Sequence, residues 1–368
     1  MTAYTEETKI KLERLRRFMD EHGYAAIRLQ TPNLFAWLTG GGRNHIDITS
    51  TWTGAALYVT RSNVVCVMAD NELDRIRDEE LAGVLDCEIR RYPWWGWAQD
   101  AVKDLYENGT VAGDMPFPGV VPIAEELRSL FYPLTAPEIE RYRALAAEVS
   151  DIMTNTLSEV REGMTELDVD GMLSAAFRRR GIHPNVLMVA ADGRAERYKH
   201  PLPTMAKLRR YAVVSVCASR GGLVVSQTRS VHLGEPDTEL REQHRAASYI
   251  AARLIAGTRE GVPLEELYRT ALAAYKEVGW PEEWVRHTIG GKTGYRTREF
   301  SLGPASAGVV ERHTAWGWNP TVGGTKSEDT VIAGPDAPEV LGEDARWPHI
   351  SFELEGKVWK RPAILVIT

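Results

Sequence analysis

The sequence is short of cysteine, of long apolar runs and of positive charge, and each shortage removes a class of protein. The three cysteines, Cys66, Cys87 and Cys217, are an odd number at wide spacing. They form neither a disulfide framework nor a zinc-ribbon pattern. Cys66 and Cys217 lie in apolar runs and read as buried thiols. No stretch approaches the roughly 18 apolar residues of a membrane span. The first eighteen or so residues are charged throughout, without the apolar centre of a signal peptide, so the cytoplasm is the expected location. Lys and Arg number 44 against 51 Asp and Glu, a formal net charge of −7. That mildly acidic balance argues against nucleic acid as a partner, because phosphate binding needs basic patches. The one basic cluster, Arg178-Arg179-Arg180, follows an apolar run ending at Phe177 and reads as a solvated helix end. No internal repeat or low-complexity stretch is visible.

What is there suffices for two domains with their own cores, since 43% of the 368 residues are hydrophobic. Periodicity predicts helices over 6–22, 72–85 and 97–106, a helical start at 34–38, and strands over 25–29, 55–60, 63–69 and 88–92. This is an α/β domain spanning 1–132. A boundary falls at Tyr132-Pro133-Leu134-Thr135. Thr135 with Glu138 makes a capping box that opens a helix running to about Glu162, and Thr165 caps another reaching Arg180. Strands follow at 186–190, 212–218 and 223–226, then helices over 238–256 and 264–277. From His287 onward the chain is rich in glycine and strand. Residues 133–368 therefore predict an α+β domain with a mostly antiparallel sheet.

Four segments place polar residues beside strands. His200 precedes Pro201, which biases it to an extended shape and makes it either a general base on a stiff loop or a surface histidine. Ser215 and Ser226 interrupt apolar runs on either side of an Arg220-Gly221-Gly222 turn; they face a cleft or bond backbone in the core. His287 stands before Gly290-Gly291, near arginines suited to an anion, in a loop that also reads as merely basic. Asn319-Pro320 and Glu328 flank the last of these segments. Trp316 and Trp318 have strand spacing and share a face, which is core packing or an aromatic wall for a flat ligand. Trp94, Trp95 and Trp97 add to a high count of 11 tryptophans.

The order of these segments resembles the pita-bread family of creatinase, aminopeptidase P and prolidase, over nearly the whole chain. Pro32-Asn33-Leu34-Phe35-Ala36-Trp37-Leu38-Thr39-Gly40 resembles a recurrent segment of its N-terminal domain. His200, Thr228-Arg229, His287 with Gly290, Asn319-Pro320 and Glu328 match family motifs in order. The resemblance implies a creatinase-like domain at 1–132 and, at 133–368, a pita-bread domain with a curved, mostly antiparallel sheet flanked by helices. The family's metallopeptidases use two aspartates, one histidine and two glutamates. Here the aspartate positions fall on Ser215 and Ser226 and the first glutamate position on Asn319. Neutral hydroxyls and an amide do not replace three carboxylates around two divalent ions, so no metal and no other cofactor is expected. A single ion held weakly by His287 and Glu328 is the one alternative.

Creatinase, which cleaves a C–N bond without metal, is the informative relative. The resemblance implies His200 as the acid/base, assisted by His287, with Glu328 orienting the substrate. It implies Arg43, lent to a neighbouring subunit, and Arg298 as carboxylate clamps. Ser215, Ser226 and Asn319 supply neutral hydrogen bonds. Creatinase's second guanidino-binding glutamate is Thr228 here, which argues against creatine. The expectation is a metal-independent hydrolase, or related lyase, of the creatinase type, acting on a small C–N substrate in a specialised biosynthetic or catabolic pathway as a cytoplasmic homodimer. Two alternatives are a non-catalytic ligand- or protein-binding pseudoenzyme and an Xaa-Pro metallopeptidase with unusual ligands.

Overall fold

Runs of apolar residues at 55–60 and 64–69 build the centre of a six-stranded sheet whose strands are nearly all buried. In the computed structural model, which describes residues 3–368, the strands are β1 (Ala26–Leu29), β2 (Ala55–Thr60), β3 (Val64–Ala69), β4 (Glu88–Tyr92), β5 (Val111–Gly113) and β6 (Val120–Pro122), in the order β4-β3-β2-β1-β5-β6. The helix Ala3–His22 packs on β1 and β2. Inside it the Lys11 ammonium bonds Glu7 at 2.5 Å and Glu138 at 2.8 Å with all three side chains buried. The helix expected at 72–85 is instead a chain of short turns ending in a π turn, Ile76–Leu81. Its five-residue repeat turns Ile76 and Leu81 inward together. This first unit comprises residues up to Glu138 with Gly221–Leu223; the second comprises Ile139–Arg220 and Val224–Thr368.

Local signals set the helices of the second unit. Thr135 N donates to Glu138 Oε2 at 2.7 Å, opening the helix Ala136–Leu157. Thr165 and Asp168 form a reciprocal capping box for Glu166–Arg179. Strands β7 (His183–Ala191), β8 (Tyr211–Arg220), β9 (Leu223–Leu233) and, at the chain end, β19 (Ile364–Ile367) form one sheet, ordered β19-β9-β8-β7. A second, wholly antiparallel sheet runs β11-β10-β12-β15-β16, from β10 (Gly290–Thr293), β11 (Phe300–Ser301), β12 (Ala315–Trp318), β15 (Asp329–Ile332) and β16 (Glu339–Val340). Two ribbons complete the unit: β13 (Thr321–Val322) with β14 (Thr325–Lys326), and β17 (His349–Leu354) with β18 (Lys357–Pro362). Helices Thr238–Gly257 and Leu264–Glu277 bury Ile250, Leu254 and Ala271 against Trp316, Trp318 and Val331.

That packing fixes the faces of the second sheet. Trp316 pairs with Val331 and Trp318 with Asp329, so these four share one side and Gly317 and Thr330 take the other. The two sheets meet where Thr228 bridges Glu328, with Thr228 N donating to Glu328 O at 3.0 Å. No helix among the described residues is long and apolar enough to cross a membrane.

Candidate functional site

A continuous hydrogen-bonded network occupies that meeting point. Glu328, 2% exposed, accepts from Thr228 Oγ1 at 2.7 Å and from Lys326 Nζ at 3.0 Å, and pairs with Arg298 Nη2 at 3.4 Å. Thr228 has spent its one proton on Glu328, so it accepts from Ser215 Oγ at 2.7 Å. Lys326 Nζ also reaches Ser215 Oγ at 3.4 Å. Burial disfavours the Glu328 charge, but Lys326 and Arg298 outweigh it and hold the carboxyl below its ordinary range. Arg298 crosses the open face of Gly317, where a built Cβ would lie 2.5 Å from Nη1.

Two histidines face each other beside this network, their ring centroids 4.9 Å apart. His200 is exposed and His287 is buried. Lys199 ties their segments together, donating to Glu283 at 2.9 Å, at the start of the 3-10 turn that delivers His287, and to Gly323 O at 2.6 Å. Burial, then Lys326, lowers the His200 pKa, with Glu328 opposing. Burial, Lys326 and His200 pull His287 down to about 3. Neither His287 ring nitrogen has a well-formed hydrogen bond. Both imidazoles are thus neutral near pH 7 and able to accept a proton or a donor from a bound molecule. A small cavity of about 30 Å³ lies against Ser215, Lys326, Tyr198 and Lys199.

The structure brings His200, His287, Ser215, Thr228, Arg298 and Glu328 together, and adds Lys326. That lysine had a legible signal: two residues before Glu328 in an extended segment, it shares the glutamate's side. Ser226 sits beside the network, bonding Cys217 Sγ at 3.2 Å, while its backbone N–H takes Thr330 Oγ1 at 2.8 Å. Asn319 is buried with Oδ1 unpartnered. The aromatic wall is corrected: Trp316 and Trp318 are 1% and 0% exposed in the hydrophobic core, with Nε1 atoms bonded to Thr314 and Thr258. Their faces were decided by the helices behind the sheet. Trp94, Trp95 and Trp97 are exposed on the first unit. Arg43 also lies there, its backbone N–H and guanidinium both on Glu80, at 2.7 and 3.3 Å.

Residues 140–333, more than half of the chain, match the model of Metallopeptidase family M24. The chain belongs to that family. Among solved structures, this M24 chain resembles an Xaa-Pro dipeptidase from Bacillus anthracis (TM-score 0.78, 19% identity, covering 98% of this chain and 100% of that one). It also resembles the prolidase from Pyrococcus horikoshii (0.77, 16%, 91% and 99%). The N-terminal domain of the SPT16 subunit of the FACT complex from Cicer arietinum is similar too (0.65, 13%, 92% and 97%). At these identities the likeness shows the fold. No curated protein matches significantly.

The metals that the family name implies do not fit this M24 site. Among the described residues no three His, Cys, Asp or Glu side chains converge to hold an ion. The retained carboxylate, Glu328, is already engaged by an ammonium and a guanidinium. A divalent cation there would meet the Lys326 charge across a few ångströms of buried medium.

Proposed function

We propose that this M24 chain is a metal-independent hydrolase, or related lyase, of the creatinase type, acting on a small substrate with a C–N bond. One observation carries the reading: a buried ammonium, Lys326, stands on Glu328 beside two facing histidines. In this reading His200 takes a proton from water and returns it to the leaving nitrogen, so one imidazole serves both halves of the cleavage. His287 accepts a hydrogen bond from the substrate. Glu328 orients its amide part, and Lys326 stabilises charge developing on the opposite oxygen. Arg298 binds a carboxylate, as does Arg43 from a partner subunit of a cytoplasmic homodimer. Ser215, Ser226, Thr228 and Asn319 offer neutral hydrogen bonds. The reading assigns the chemistry to a pita-bread domain at 133–368 whose sheets act as one curved surface, and a pairing role to a creatinase-like domain at 1–132. The substrate belongs to a specialised biosynthetic or catabolic pathway.

The test uses chelator-treated protein and a panel of small amides, ureas, imides and guanidines. Turnover of one panel member is expected, with kcat/KM reduced about 10²–10⁴-fold in His200→Ala and fold retained. Full activity in that variant, or activity appearing only with added metal, refutes the proposal.

A second reading, a ligand- or protein-binding pseudoenzyme, is favoured by one observation. The Glu328 carboxylate is already engaged by Thr228, Lys326 and Arg298, and the cavity beside it has room for little more than a water. Under that reading no panel member turns over, and His200→Ala leaves ligand affinity intact.

A further inference from the structure

Strand alternation carries a second charged cluster to the opposite side of the same strands. Thr228 and Glu328 point into the histidine site, so their successors Arg229 and Asp329 point away from it. Arg229 Nη1 donates to Asp329 Oδ1 at 3.0 Å, and Arg361 Nη2 donates to Asp329 Oδ2. The three residues are 3%, 2% and 1% exposed. Neither arginine has another carboxylate in ion-pairing range among the described residues. Two buried cations therefore share one anion, and one positive charge is left over. Arg361 Nε is buried without a hydrogen-bond partner.

These side chains line a cavity of about 310 Å³, within the range of small-molecule sites. Arg229 lies over the Trp347 ring, 5.9 Å from its centroid, and Leu341 and Pro348 extend the apolar wall. Of the other acids there, Asp344 is held by Arg346 and Glu343 is exposed.

We propose that this cavity is a second binding site, specific for a small organic monoanion: a carboxylate with an apolar or aromatic body. The excess charge calls for one anion. The guanidinium fork matches a carboxylate, and the indole and aliphatic walls take the body of the ligand. The site is independent of the histidine chemistry.

Calorimetric titration of the full chain with phenylacetate, using phenylacetamide as the neutral analogue, tests it. One phenylacetate is expected to bind saturably per chain, and the amide to bind about tenfold more weakly or worse. Arg361→Met should weaken phenylacetate by at least about the same factor. If that variant does not fold, Ala345→Trp, a change at an exposed position on the cavity, should block binding without touching the ion network. Absence of saturable binding overturns the proposal. So does equal affinity for the amide, or binding that Lys326→Met abolishes and Ala345→Trp leaves alone.

Discussion

Lys326 and Glu328 depend on each other more than any other pair in the site. A carboxylate this deeply buried is tolerated because an ammonium stands 3.0 Å away and a guanidinium at 3.4 Å. Lys326→Met leaves the charge with Arg298 alone and should destabilise the protein by about 3 kcal/mol, while adding Glu328→Gln should restore most of it. Denaturant unfolding of the two single variants and the double variant measures this; a loss in the double variant equal to the sum of the two single losses would show that the pair contributes nothing. The same lysine bears on His200. Burial and, after it, the lysine's positive charge disfavour the imidazolium, so the acid limb of kcat/KM should lie below the ordinary histidine value of about 6.5. Lys326→Met should move that limb to higher pH, and a pH–rate profile of a fully folded sample reads the shift. The residues gathered here are partly legible in the sequence: motif order points to His200, His287 and Glu328, whereas a lone lysine such as Lys326 reads by default as solvated.

At the scale of elements, a single glycine decides whether β12 can accept Arg298. Gly317 faces the network while its neighbours Trp316 and Trp318 face the core. Gly317→Ala would put a methyl 2.5 Å from Arg298 Nη1 and push the guanidinium off Glu328. A loss of about 1–3 kcal/mol is expected. Arg298→Met should add little further in that background, because both changes break the same contact; full additivity would mean that Arg298 does not lie across Gly317. Helix starts at Thr135 and Thr165 could be read from sequence because a capping box involves only four residues. The stretch from Asp70 to Leu81 could not, since its turns are set by where Ile76 and Leu81 are buried. The tryptophan faces had the same problem: spacing showed that Trp316 and Trp318 share a side, but only the helices Thr238–Gly257 and Leu264–Glu277 chose which.

Across the whole molecule, buried histidines make stability depend on acid. Burial lowers His244 to about 4 and His287 to about 3. Both folded-state values lie below the unfolded value, so between about pH 6.5 and those values the unfolded chain binds more protons. Stability is therefore complete above pH 6.5 and falls as the pH drops. Each histidine should remove about 2 kcal/mol by pH 5. His287→Gln should recover about half of the combined loss, measured as the difference in unfolding free energy between pH 7 and pH 5. An unchanged pH dependence would mean that His287 is not held neutral.

The sequence alone determined most of the helices and strands of the second unit, the helix starts at Thr135 and Thr165, the family resemblance and the loss of three carboxylates from the site, because these depend on residue type and on neighbours a few positions apart. Tertiary structure decided the rest. It brought Arg298 and Thr228 onto Glu328, turned the tryptophans into the core, and placed Arg229, Asp329 and Arg361 around a cavity behind the strands. Those arrangements depend on which sheet face meets which helix, and on charges from different strands, such as Arg229 and Asp329, meeting in a medium too dry to leave them unpaired.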